Sequence, residues 1–375
     1  MRHILPALLF SVTALSLQAQ PAVQHLGTVT GRVFCSDSQT PCRFASVSIE
    51  SAPPADALDS WPKSGHSHSY AGMTDMDGTF QINEVAEGEY YILGQLAGYL
   101  SPYDMAVGMA PGGTALSAKA IDVALSRITV AAGRATATNL VLRRGASLAG
   151  TIRYDDGGMG INLPVSLFRK DLTGAWVPYK NRAGDSSLAP LGFGSHTDDR
   201  GHFYEPGLPS GTYTVEVTLP ITELAPQGIL GPSSLQTKIT TGNALEVFSG
   251  NRYRLKEAVP VTLNEGEENS DVDITIPITG LCLLHGSVTA KLDGRVIGRG
   301  RVRLLDPSDK TVLRESDIRE DGSFEFRYVV AGAYLIEVSG SAGDKDAVHF
   351  QPMTTQLLVQ SDMPDLNYAL ASSAK

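Results

Sequence analysis

Apolar and polar positions alternate in short runs along most of the chain, and Gly, Asp, Asn and Ser interrupt the runs. Tyr213, Val215 and Val217 alternate with Thr212, Thr214 and Glu216, and Tyr334, Ile336 and Val338 alternate with Leu335 and Glu337. A period of two is that of a β-strand with one buried face. The pattern therefore predicts many short strands. One run differs: Ile4 to Leu17 is mostly apolar, interrupted by Pro6, and follows Arg2 and His3.

The alternation is organised by a repeat. Thr74-Asp75-Met76-Asp77-Gly78-Thr79-Phe80 is followed by Val85, Gly88 and Tyr90. Thr197-Asp198-Asp199-Arg200-Gly201-His202-Phe203 is followed by Leu208, Gly211 and Tyr213. The third copy is Ile318-Arg319-Glu320-Asp321-Gly322-Ser323-Phe324, with Val329, Gly332 and Tyr334. Asp-Gly before such a run is a hairpin signal, since Gly takes positive φ without steric cost. Phe80, Ile82 and Val85 then face a core, and Gly88 turns the chain so that Tyr90 and Ile92 resume the alternation. Each copy thus predicts a pair of antiparallel strands sharing one apolar face.

Two further markers recur. Upstream lie Gly31-Arg32-Val33, Gly150-Thr151-Ile152 and Gly286-Ser287-Val288, each leading to a short apolar strand around Val47, Val165 and Val302. Downstream, each unit closes with a short strand: Leu140-Val141-Leu142, Ile274-Thr275-Ile276 or Leu366-Asn367-Tyr368-Ala369-Leu370. At least five short strands per unit is the pattern of a β-sandwich. The expected division is a signal peptide over 1–19 and sandwiches over 20–144, 145–279 and 280–375, joined almost without linkers into a stiff row.

Gly31-x-Val33, Pro41, Ala45-x-Val47-x-Ile49, Thr74-Asp75-x-Asp77-Gly78-x-Phe80 and Gly88-x-Tyr90 resemble the carboxypeptidase regulatory-like domain. That domain is a transthyretin-like sandwich of the carbohydrate-binding-like fold group, similar to the B-type repeats of collagen adhesins. The resemblance implies an all-β chain of three tandem Ig-like or transthyretin-like sandwiches and a spacer, adhesion or sugar-binding role. For the Lys–Asn crosslink of adhesin repeats, the first unit offers only Lys63 and Lys119, both in loop-like settings.

Composition changes the picture in three places. Forty acidic against 30 basic residues, a net charge of −10, leave no basic block for nucleic acid. The basic start, the Ile4–Leu17 run and Ala19 describe a secretory signal peptide, too short for a membrane helix, and no transmembrane segment is expected after its cleavage. Cys35 and Cys42 flank a turn-rich segment and suit a disulfide in an oxidising compartment, stabilising by roughly 2–2.5 kcal/mol. Cys282 reads as a buried small hydrophobe.

Motifs for hydrolases, phosphate loops or dinucleotide sites are missing from the sequence, so no catalytic residue, metal or cofactor is assigned. His66-Ser67-His68 reads as solvated loop histidines, and Asp75-x-Asp77-Gly78 as turn chemistry in preference to a calcium loop. Sugar stacking would need exposed aromatic faces. Trp61, Trp176 and Tyr179 are the candidates, with Tyr70, Tyr99 and Tyr103 behind them; Trp61 and Trp176 are expected outside regular strands. The favoured expectation is a non-enzymatic exported protein, secreted, periplasmic or on the cell surface, acting as scaffold or interaction module. Its partner would be a protein or polysaccharide of the envelope. A carbohydrate-binding protein is the alternative, and an enzyme assembled from His66, His68 and His196 the third.

Overall fold

The computed structural model describes residues 26–53, 69–100, 122–123, 125–179, 196–219, 222–226, 235–239, 243–343, 348–361 and 363–373, with backbone alone for 222–226 and 235–239. The signal-peptide segment, Trp61, Lys63, His66, His68, Tyr103 and Lys119 lie outside the described residues.

The chain is all-β. The first group of strands is β1 (Gly27–Cys35), β2 (Ser46–Ser51), β3 (Ser69–Met73), β4 (Thr79–Val85), β5 (Gly88–Gln95), β6 (Ser126–Val130) and β7 (Ala135–Leu142). The second is β8 (Ala146–Tyr154), β9 (Val165–Lys170), β10 (Trp176–Tyr179), β11 (His202–Leu208), β12 (Gly211–Leu219), β13 (Thr222–Pro226), β14 (Leu235–Ile239), β15 (Leu245–Phe248), β16 (Val261–Leu263), β17 (Glu268–Asn269) and β18 (Ile274–Ile276). The third is β19 (Leu281–Ala290), β20 (Arg299–Leu305), β21 (Val312–Asp317), β22 (Ser323–Val330), β23 (Gly332–Ala342), β24 (Val348–His349), β25 (Met353–Val359) and β26 (Leu366–Leu370).

In the first group, sheet β4-β1-β7 closes on sheet β3-β2-β5-β6 over Val29, Val33, Phe80 and Ile82 from one side and Val47, Ile49, Tyr90 and Ile92 from the other. In the second, β11-β8 with β17 and β18 closes on β10-β9-β12-β15 with β16, and in the third β22-β19-β26 closes on β21-β20-β23-β24 with β25. The first and last strands of each group pair in parallel: β1 with β7, β8 with β18, and β19 with β26.

The repeat residues now have physical reasons. A Cβ on Gly31, Gly150 or Gly286 would lie 1.5, 1.9 or 1.8 Å from the carbonyl oxygen of Thr138, Val272 or Leu366 on the adjacent segment, so only Gly admits that close approach. Gly78, Gly201 and Gly322 have φ of +77°, +77° and +79° in turns closed by Asp75 N–H to Thr79 O, Asp198 N–H to His202 O and Arg319 N–H to Ser323 O. Asp75 Oδ1 accepts from the N–H of Asp77 and Thr79, and Asp198 Oδ1 from those of Arg200 and His202. These carboxylates are occupied by their own turns.

The aliphatic residue five after each Phe would face away from the core in a regular strand. It does not, because Glu84, Gly207 and Tyr328 adopt φ of +58°, +76° and +58° and the ladder slips there. This bulge turns Val85, Leu208 and Val329 back inward, where each is at most 1% exposed. Each repeat Tyr hydroxyl donates to the carbonyl four residues before it: Tyr90 to Ala86 at 2.9 Å, Tyr213 to Pro209 at 2.7 Å and Tyr334 to Val330 at 2.8 Å. This local hydrogen bond resembles the tyrosine corner of Ig-type sandwiches.

One expectation is corrected. β4 and β5 do not form a hairpin: they belong to opposite sheets, as do β11 and β12, and β22 and β23. The alternation shows that both strands face one core, but facing it from the same sheet or from opposite sheets leaves the same pattern. The Asp-Gly turns likewise carry the chain between sheets in the first and third groups, from β3 to β4 and from β21 to β22.

Candidate functional site

The sheet β10-β9-β12-β15 buries Val165, Leu167, Tyr213, Val215, Val217 and Val247 on its inner face. Alternation sends Phe168, Thr214, Glu216, Glu246 and Phe248 to the other face, where Thr214 lies opposite Phe168, Glu216 opposite Phe248 and Thr218 opposite Glu246. An outer face is ordinarily polar and wet. Here Thr214 is fully buried, Phe248 is 2% exposed and Glu216 8%. Phe168 and Phe248 meet edge to face at 6.1 Å. The cover comes from the third sandwich.

Charged groups hold that cover in place. Arg254 caps and Lys256 lies within a 3-10 turn, Leu255–Glu257, after β15. Asp306, 1% exposed after β20, faces them with Oδ2 3.2 Å from Arg254 Nε and 2.8 Å from Lys256 Nζ. Lys256 also reaches Asp309 Oδ2 at 2.8 Å. Burial alone would raise the Asp306 carboxyl, but Lys256, Ser308 and Arg254 hold it well below the usual carboxylate range, and Lys256 with Thr311 brings Asp309 down to about 2. Lys256 is raised in turn, by Asp306 first and Asp309 second.

Arg314, 7% exposed on β21, is the deeper contact. Its guanidinium donates to the Asn243 carbonyl, to Asn243 Oδ1 at 2.8 Å, to Arg327 O at 2.6 Å and to Tyr328 O at 3.1 Å. Asn243 Nδ2 returns a hydrogen bond to Glu325 O at 2.8 Å. One arginine therefore satisfies carbonyls on both sides of the joint and pins the bulged Tyr328. Burial lowers it to about 10, opposed by Tyr334 and Glu246.

Between these contacts lies a cavity of about 710 Å³. Phe168, Trp176, Glu216, Glu246 and Phe248 line it from the second sandwich, and Arg314 and Tyr334 from the third. Burial raises the Glu216 carboxyl, opposed by its bond from the Thr218 hydroxyl. Glu246 lines the cavity and remains exposed to solvent there. Desolvation, reinforced by Glu216 and opposed by Arg314, pushes it up to about 7.

The residues singled out by sequence are dispersed. Cys35 and Cys42 form a disulfide with Cα atoms 5.3 Å apart. Trp176 opens strand β10, contrary to the expectation of a loop, because it pairs with Lys170, whose Nζ sits 5.1 Å from its ring centre. It lines the cavity. Tyr179, three residues on, packs against the core and meets Tyr213 edge to face at 5.6 Å. Tyr70 packs on Tyr90, and Tyr99 donates its hydroxyl to Asp37, so both are engaged. His196 bridges Pro164, and Cys282 is half-buried against the third core. Among the described residues no three His, Cys, Asp or Glu gather as a metal site, and no helix is long and apolar enough to cross a membrane.

Sequence reasoning missed Glu216, Glu246, Asp306 and Arg314. The available signal was aromatic residues in outward register: Phe168 and Trp176 occupy the face that alternation assigns to solvent.

No protein-family model matches the chain, and no curated protein matches it. Among solved structures it is similar to a streptococcal ancillary pilin, with 12% identity over 93% of this chain and 100% of that one and a TM-score of 0.28. It is similar to the minor pilin of Streptococcus agalactiae at 14% identity, 67% and 94% coverage and a TM-score of 0.26. For the Bacillus anthracis TIE protein the figures are 10%, 93% and 51%, with a TM-score of 0.22. The chain thus spans about half the length of that last protein.

Proposed function

We propose that this is an exported, non-enzymatic scaffold or protein-interaction module of the cell envelope. Its three carboxypeptidase regulatory-like sandwiches, over 20–144, 145–279 and 280–375, follow a signal peptide ending at Ala19. The observation that carries the reading is the ionic seam of Arg254, Lys256, Asp306 and Arg314, which fastens the third sandwich over the outer face of the second. Such a joint holds two sandwiches in one orientation, as a load-transmitting or display element requires. The Cys35–Cys42 disulfide suits an oxidising compartment.

The test combines small-angle scattering of the mature chain with affinity capture from an envelope fraction. A stiff elongated particle and one reproducible envelope partner are expected. A flexible ensemble, or an envelope fraction that yields no partner, overturns the reading. N-terminal sequencing of the exported protein should begin at Gln20.

Trp176 on the cavity wall favours a second reading, sugar recognition, in which Trp61 and Tyr179 were the other candidates. Tyr179 is engaged by the core, so Trp176 would carry the stacking. Affinity electrophoresis on a polysaccharide panel tests it, and unretarded migration on every sugar removes it.

A further inference from the structure

The cavity between the second and third sandwiches is built with both an unmatched charge and an unmatched donor. Glu216 and Glu246 lie on adjacent antiparallel strands, one register step apart on the same face. Like charges so placed repel unless a cation intervenes. Among the described residues, neither carboxylate forms an ion pair. Glu216, more than nine-tenths buried, accepts among the described residues one side-chain bond, from the Thr218 hydroxyl at 3.0 Å. The other acids on the wall are matched: Asp306 and Asp309 by Lys256, and Glu257 by Arg254 at 3.4 Å. Arg314 opposes the charge of Glu246 from across the cavity but pairs directly with neither glutamate, its terminal nitrogens donating instead to the carbonyls of Asn243, Arg327 and Tyr328. Its Nε, buried on the cavity wall, has no acceptor among the described residues. Phe168 and Trp176 complete the lining with flat apolar faces.

We propose that this cavity is a recognition pocket for an arginine- or lysine-bearing segment of a partner protein. The basic side chain enters between Glu216 and Glu246, its stem lies along Phe168 and Trp176, and a backbone carbonyl of the segment accepts from Arg314 Nε. A cation supplies the missing charge and a peptide carbonyl the missing acceptor. A neutral sugar supplies the acceptor alone, and a free polyamine the charge alone. The cavity volume falls within the range of about 300–1,000 Å³ typical of ligand pockets. The inference rests on the protein-interaction reading above and names the chemistry of the partner.

The mature full chain, carrying Trp61→Phe so that Trp176 is the one remaining tryptophan, is titrated by fluorescence with acetylated, amidated Ala-Arg-Ala. The citrulline counterpart and maltotetraose serve as neutral probes. Saturable binding of the arginine peptide is expected. It should weaken about tenfold or more with citrulline and in each of Glu216→Gln and Glu246→Gln, the scale of one lost charge-assisted contact. Glu320→Gln, on the exposed turn before β22, should leave it unchanged. Two isosteric variants guard against misfolding of either one. Equal affinity for the arginine and citrulline peptides overturns the proposal. So does unaltered binding in both Gln variants, binding of maltotetraose alone, or no response to the arginine peptide up to about 10 mM. Envelope capture separates this failure from that of the wider reading. A partner retained equally by wild type and Glu246→Gln removes the pocket and leaves the scaffold, whereas a wild type without any partner removes the scaffold.

Discussion

The two joints between neighbouring sandwiches are built differently. Between the first and second sandwiches the contacts are at the surface: Arg143 pairs with Glu265, Arg144 with Glu268 at 3.5 Å, and the Arg144 guanidinium lies over Tyr99. This joint leans on the disulfide loop, where Ser36 Oγ accepts from Arg144 N–H and Ser36 N–H donates to Leu142 O. Between the second and third, Arg314, Asp306 and Phe248 are buried beside an open cavity. The lesson is one of dielectric. Exposed pairs are screened by water and contribute little, whereas buried ones contribute or cost several-fold more because water cannot replace a lost partner.

The largest effect should come from Arg314→Ala, which takes the donor from the buried Asn243 carbonyl and from the part-buried bonds to Arg327 O and Tyr328 O. A loss of about 3 kcal/mol in denaturant unfolding is expected. Asp306→Asn comes next, at about 2 kcal/mol, because Arg254 and Lys256 lose their buried counter-charge. This contribution depends on pH. Since the folded carboxyl is depressed, it is present in full above the unfolded value of about 4 and fades as acid titrates the folded state below it. Reduction or Cys35→Ser with Cys42→Ser should cost about 2 kcal/mol, confined to the first sandwich and its joint. Hydrogen exchange would show this as faster opening near Ser36 while the second joint keeps its protection. Arg143→Ala should cost below about 1 kcal/mol and show instead as wider bending in scattering.

Glu246 sharpens the contrast with the opposite sign. Its folded value is raised to about 7 against 4.5, so the stability it brings is present below the unfolded value and declines as pH rises through about 7. Glu216 on β12, Arg314 on β21, Arg254, Lys256 and Glu257 at the 3-10 turn, and Asp306 and Asp309 after β20 are the charged groups around the cavity with it. Thermal unfolding should therefore show a shallow fall between about pH 5 and 7 that Glu246→Gln abolishes. An unchanged slope in that variant would assign the fall to another group.

The hairpins at the end of each first strand offer a smaller comparison. Cys42 N–H bonds Val33 O, Gly160 N–H bonds Ile152 O and Ile297 N–H bonds Val288 O, so one turn recurs with three fillings. The disulfide of the first sandwich occupies the place of Tyr154 with Gly160 in the second and of Ala290 with Ile297 in the third. The repeat markers are legible in sequence because each answers a local demand: Gly31 a close carbonyl, Gly78 a positive φ, Tyr90 a carbonyl four residues back. Trp61, by contrast, lies outside the described residues, and Trp176 stands in a strand. For Trp176 the one sequence signal was its outward register, which composition in Pro and Gly around it obscured.

Sequence alone determined the all-β character, the repeat and its register, and the disulfide pair, since these depend on alternation, steric exclusion at glycine and short-range turn chemistry. Only the tertiary structure decided that the repeat strands divide between opposite sheets, because inward-facing alternation is the same from either side. It likewise decided which outer face is covered. Glu216, Glu246 and Arg314 come from distant parts of the chain, on β12, β15 and β21, and meet at one cavity only when the third sandwich covers Glu216 and buries Arg314, with Glu246 left exposed beside them.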